Sequence, residues 1–150
     1  MILILRYWLP LLIWMVLIFS ASADANSTRH TSHFLEPFLR WLDPNISLEA
    51  IDSVRWLVRK AAHMTEYALL AWLAWRAVRR PCRRDVRPWS WAPAGVALAI
   101  VILYAATDEF HQTFVPNRTG SWKDVCIDTA GGIFGLVVVW IWQSKRNRQN

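Results

Sequence analysis

The segment Arg59-Lys60-Ala61-Ala62-His63-Met64-Thr65-Glu66-Tyr67 puts two cations, an imidazole, a carboxylate and a phenol in one short stretch. On a helix, Arg59, His63 and Glu66 share a face at i, i+4 and i+7, with Lys60 and Tyr67 beside them. A second group, Thr107-Asp108-Glu109-Phe110-His111-Gln112, sets Asp108 three residues from His111 and four from Gln112. After the turn-rich Phe114-Val115-Pro116-Asn117-Arg118-Thr119-Gly120-Ser121 comes a third, Asp124 and Asp128 at i, i+4. Three chemistries are open to these side chains. Arg59, Lys60 and Arg118 suit phosphate or carboxylate, because arginine offers paired donors and lysine a mobile point charge. Glu66, Asp108, Asp124 and Asp128 would then orient those cations and His63. Alternatively, His63, Glu66, Asp108 and His111 include the ligand types of a zinc or other divalent ion, with a carboxylate left over as a base. His-x-x-Glu recurs by chance and matches no strong metalloenzyme spacing, so no cofactor is predicted and a divalent metal is the weaker alternative. The third is a proton relay or transport path through Glu66, His63 and Asp108.

These residues must be positioned by something, and the distribution of apolar residues says what. The 150-residue chain is 55% hydrophobic, with its charges concentrated between long apolar blocks. Crossing ~30 Å of hydrocarbon takes about 20 helical residues. Residues 7–23, 61–78, 89–107 and 125–142 meet or approach that length, and none shows the period of a β-barrel strand. The expected fold is therefore all-α, an integral membrane bundle of four transmembrane helices. Arg76, Arg79, Arg80, Arg83, Arg84 and Arg87 face only Asp85, and Lys145, Arg146 and Arg148 end the chain. Residues 24–53 hold only Arg29 and Arg40 among five carboxylates. The basic segments belong in the cytoplasm, so both termini are expected inside, N-in/C-in. The first segment has a rival reading: Arg6, an apolar run and Ala21-Ser22-Ala23 resemble a secretory signal with its cleavage site. On either reading, all three polar groups fall at the outer ends of the last three spans.

The first outer loop carries Phe34, Leu35, Phe38, Leu39, Trp41 and Leu42, the pattern of a short interfacial helix that Asp43-Pro44 would stop. Ser47 is the expected N-cap of the next helix, which runs from about residue 48 to 78 and so stands proud of the bilayer. Gly131 and Gly135 form a small-xxx-small pair that lets another helix approach closely, and packing rather than ligand contact is the expected use. The chain divides at residues 1–53 (first helix and outer loop), 54–143 (three-helix polar domain) and 144–150 (basic tail). Nucleic acid is not an expected partner, because the arginine run is short and tied between two spans where it meets anionic lipid instead. His30 and His33 read as surface residues, and Trp8, Trp56, Trp89, Trp91, Trp122 and Trp142 as interfacial anchors. Cys82 and Cys126 fall on opposite sides of the bilayer, so no disulfide is expected.

The blocks RKAAHMTEYALLAW and ATDEFHQTFVPNRTGSWKDVCIDTAGGIFG resemble the two signatures of the VanZ-like family, over roughly residues 56 to 142. That bacterial membrane family is named after an accessory protein of teicoplanin-resistance clusters. The resemblance puts its characteristic polar positions on Lys60, His63, Glu66, Tyr67, Asp108, Glu109, His111, Gln112, Arg118, Asp124 and Asp128. Asn117 stands where a glycine is expected before the arginine, a departure that touches turn geometry only. The family implies a role at the cell envelope and, in some members, altered glycopeptide sensitivity, without an established reaction. The leading expectation is a site for an anionic lipid or cell-wall precursor. A membrane-embedded hydrolase or transferase, and a small transporter, are the alternatives. A polar network that merely holds the bundle together competes with all three.

Overall fold

The computed structural model describes residues 2–23, 27–80, 87–115 and 120–149. Five helices follow in order: α1 (Ile2–Ala23), α2 (Ser27–Leu42), α3 (Leu48–Arg79), α4 (Trp91–Gln112) and α5 (Trp122–Gln149), with no strand among the described residues. Three are long and apolar enough to cross a membrane, through Leu5–Ser22, Trp91–Gln112 and Trp122–Asn147. Their large side chains lie mostly outward, as Val16, Leu103 and Phe134 do, each more than half exposed. A water-soluble bundle would turn that surface inward; a lipid-facing one need not.

α3 is the axis of the bundle, packed by each of the other four helices. Its inner half is sealed: Tyr67, Leu70, Ala71, Ala74 and Ala77 are inaccessible. Its start is fixed locally, since the Ser47 hydroxyl accepts the Ala50 amide at 3.2 Å and so satisfies one of the orphan donors of the first turn. It ends at Arg80, which adopts a left-handed conformation with φ 50° and returns its amide to the Arg76 carbonyl at 3.0 Å.

Contacts along the bundle set helix directions. Lys60 meets Asp124, and His63 meets Asp128. Gly131 and Gly135 face the backbone of Met64 and Ala68. Both series ascend together, so α3 and α5 are parallel. The indole of Trp14 donates to the Glu66 carbonyl at 3.0 Å, the Tyr104 hydroxyl to the Met15 carbonyl, and Gln112 to Ser22 at 2.9 Å. α1 therefore runs with α4 and against α3. α5 approaches α3 closely because glycines occupy the crossing: a Cβ at position 131 would lie 2.5 Å from the Met64 carbonyl oxygen, and one at 135 would lie 2.4 Å from that of Ala68.

α2 begins earlier than the apolar pattern suggests, and it ends at Leu42 before Asp43-Pro44 as expected. Phe34, Phe38, Trp41 and Leu42 line one exposed face. Glu36 ties α2 to α3 through Arg55, which also bonds Asp52 at 2.7 Å.

Candidate functional site

Nine of the polar residues predicted from sequence gather at one end of the bundle, where α3 enters, α4 leaves and α5 begins. Lys60, two turns before the buried part of α3, pairs with Asp124 in the first turn of α5, where a carboxylate also suits the helix dipole. Its ammonium also lies 5.9 Å from the Trp56 ring centre. One turn deeper, His63 Nδ1 lies 3.8 Å from Asp128 and 4.0 Å from Glu66. These are close approaches rather than good hydrogen bonds. Asp128 is 1% exposed. Tyr67, a further turn along, is wholly buried within electrostatic range of Asp108, Glu109 and Asp128.

α4 supplies the facing wall. Gln112 is buried, and its amide nitrogen donates to Ser22 at 2.9 Å and to Asp108 and Glu109 at 3.2 Å each. Glu109 accepts the Ser121 amide at 2.8 Å, which fastens the entry of α5 to the end of α4. That fastening needs Gly120, where a Cβ would fall 2.2 Å from the Glu109 carbonyl oxygen. The result is a buried carboxylate cluster of Asp108, Glu109 and Asp128, flanked by Glu66 and Asp124, with Lys60 and His63 as its described cationic and imidazole members. Burial of several carboxylates requires partners for their charge, protons on some of them, or both.

The structure brings Lys60, His63, Glu66, Tyr67, Asp108, Glu109, Gln112, Asp124 and Asp128 to this one end of the bundle. His111 is on the same turn but faces elsewhere: its ring lies against Phe19 of α1, with centroids 4.3 Å apart. Arg59 is half-buried on α3 beside Lys60. Arg118, and with it Asn117, lies outside the described residues, as do Cys82 and the side chains of His30 and His33. Among the described residues, no group of three His, Cys, Asp or Glu could hold a metal ion, and the four weak ligand candidates are divided by the turn of His111 toward α1. Cys126 is a free, exposed thiol.

Three contributors were not singled out from sequence. Ser22 is 4% exposed and completes the coordination of Gln112, although its sequence context reads as a cleavage motif. Trp14 and Tyr104 lock α1 to α3 and α4 through main-chain carbonyls. An indole and a phenol inside apolar spans were the available signals, since buried Trp and Tyr need a partner for N–H and O–H.

A family model for VanZ/LLP1 matches residues 7–143. The chain belongs to the VanZ/LLP1 family. The match starts well before residue 56, where the sequence resemblance begins, and takes in α1 and α2 as well as the polar helices. In this VanZ/LLP1 chain the two blocks that carry the sequence resemblance are the α3 segment and the α4–α5 connection that build the cluster. Neither a curated protein nor a solved structure matches it. The three apolar helices and the family together make it a membrane protein.

Proposed function

We propose that this VanZ/LLP1 protein is a multi-pass protein of the bacterial inner membrane whose outer end binds the anionic headgroup of an envelope lipid or lipid-linked wall precursor. The observation that carries the reading is a buried polar cluster beside exposed apolar surface. Trp56, Phe110, Phe114 and Trp122 surround its mouth, each at least 59% exposed. An amphiphile fits such a boundary: phosphate or carboxylate against Lys60, Arg59 and Arg118, hydrocarbon along the aromatic flank. Asp124 holds Lys60 at that boundary, and Asp128 and Glu66 lie close to His63.

Four spans, N-in/C-in, with α1 retained, suit this geometry best. α3 runs beside α5 from Lys60 to Ala68, which supports a crossing by α3 too. Its 32 residues are ~48 Å long, more than the hydrocarbon requires. Among the polar groups that lower its hydropathy, Lys60 and His63 face carboxylates of α5. α2 would then lie on the outer surface with its apolar face in the lipid interface. α1 buries Tyr7, Leu11 and Ile18 in the core and Ser22 at the site, contacts a removed signal would forfeit. A role in glycopeptide sensitivity of the teicoplanin type would follow from holding wall precursor at this face.

The test uses fluorescent phosphatidylglycerol and a polyprenyl pyrophosphate with the purified protein and its Lys60→Ala and Arg118→Ala variants. Affinity at least tenfold weaker in both is expected; unchanged affinity in both sinks the assignment. A deletion strain complemented by wild type or by Lys60→Ala then reads teicoplanin sensitivity.

One observation favours a second reading. His63 lies between Glu66 and Asp128, an arrangement in which carboxylates orient an imidazole for proton transfer. His63 would take a proton from water as its oxygen attacks a headgroup phosphorus and the alkoxide or phosphate leaves. Phosphate release from polyprenyl pyrophosphate that His63→Ala abolishes would favour hydrolysis; no release by wild type ends that reading.

A further inference from the structure

At the opposite, arginine-rich end, a groove opens between α4 and α5. It encloses about 210 Å³ and is lined by Trp89, Trp91, Gly95, Leu98, Leu136 and Trp140 among others. Tryptophans form its wall: Trp91 sits edge-on to Trp89 at 5.7 Å and 6.4 Å from Trp140, while Trp89 stacks on Trp75 at 5.9 Å. From Ile133 to Trp140 the groove follows α5 for ~10 Å, about a third of the hydrocarbon thickness. Gly95 leaves it open, since a Cβ there would meet nothing within 4 Å.

The groove leads to cationic groups. Gln143 and Asn147 continue the groove face of α5, and both donate to the Arg87 carbonyl, at 2.9 and 3.5 Å. Arg87 is thereby fixed where the groove ends. Its guanidinium donates to the Arg79 carbonyl at 3.1 Å and reaches the Arg80 carbonyl at 3.5 Å, which brings Arg80 to the same place. Arg80 is exposed. Lys145 and Arg146 follow on α5. Residues 129–150 contain no Asp or Glu, and Asp85 is the one acidic residue between positions 67 and 107.

We infer that this groove holds one acyl chain of an anionic phospholipid, its phosphate kept at the basic end by Arg80 and Arg87. Charge selects the occupant. Any lipid could lay a chain against tryptophan, but an end where arginine and lysine far outnumber the single Asp85 favours the lipid with net negative charge. The site is independent of the polar cluster at the other end of the bundle.

Full-length protein extracted from vesicles of equal phosphatidylglycerol and phosphatidylethanolamine is read by native mass spectrometry. One phosphatidylglycerol per chain is expected, retained at least tenfold over phosphatidylethanolamine. Gly95→Leu, which fills the groove, removes it. Arg80→Asn, suited to the left-handed backbone, and Arg87→Gln each weaken the preference about fivefold. Equal retention of both lipids overturns the inference, as does undiminished phosphatidylglycerol on Gly95→Leu or a lipid-free dimer. If Gly95→Leu fails to fold by circular dichroism, Arg80→Asn decides: unchanged preference refutes the site.

Discussion

Gly131→Ala tests whether the α3–α5 crossing controls the polar site. The added carbon would lie 2.5 Å from the Met64 carbonyl oxygen and 2.8 Å from Met64 Cα, against 3.4 Å for ordinary contact. Both obstacles are backbone, so no side chain can swing aside and the helices must part by ~0.9 Å, the difference between those distances. Overpacking of this kind costs about 2 kcal/mol, or about 4–8 °C in melting midpoint for a chain of this size. Gly135→Ala, at 2.4 Å from the Ala68 oxygen, should cost at least as much. Gly132→Ala meets only a Val101 methyl at 2.8 Å and should cost less, and Gly95→Ala should be harmless. The Gly131→Ala, Gly135→Ala double variant should cost less than the sum, because one separation relieves both clashes. Circular dichroism melts in detergent give the ranking. Lipid affinity of the folded Gly131→Ala protein should also fall, because the His63–Asp128 and Lys60–Asp124 approaches span the same interface. If Gly131→Ala melts with wild type, the close crossing is not the constraint described here.

Other outcomes follow from single contacts. Asp124→Ala leaves Lys60 half-buried without its carboxylate and should cost about 2 kcal/mol, while Lys60→Met with Asp124→Leu recovers stability but not lipid binding, as chemical melts and lipid titration will show. Ser22→Ala removes one of the acceptors of Gln112 and should cost about 1 kcal/mol in the same melts. Intact mass of the protein from membranes should include α1, near the 17.5 kDa of the full chain; a mass reduced by the first 23 residues would refute its retention. Thiols placed at Ser47 and Lys145 in a cysteine-free background should label from outside and inside the cell respectively, and the reverse pattern inverts the bundle.

Helix ends were readable where local chemistry decides them. Ser47 capped α3, and Asp43-Pro44 closed α2, because capping and proline act within a few residues. The grouping of Lys60, His63, Asp124 and Asp128 was readable from chain order: two reversals of direction, through α4, return the start of α5 to the level of Lys60 on α3. The inward use of the glycine pair was legible for the same reason of spacing. Directions of side chains were not. His111 shares a turn with Asp108, yet its ring turns to Phe19, since the neighbour that captures it is about ninety residues away. Ser22 gave no sign of its role, because a hydroxyl among small residues looks alike in a cleavage motif and at a buried helix end. Arg55 with Glu36 was likewise invisible, a pairing that depends on where α2 folds back.

The parallel course of α3 and α5 has a consequence for biogenesis. Two neighbours pointing the same way cannot zip together as a hairpin, so they join only after the intervening helix has reversed the chain. Lys60 leaves the ribosome 64 residues before Asp124, an interval of about 3–13 s at bacterial synthesis rates. During that interval Lys60 and His63 lack their later carboxylate partners, Asp124 and Asp128. The last helix to arrive supplies the charges that complete the cluster.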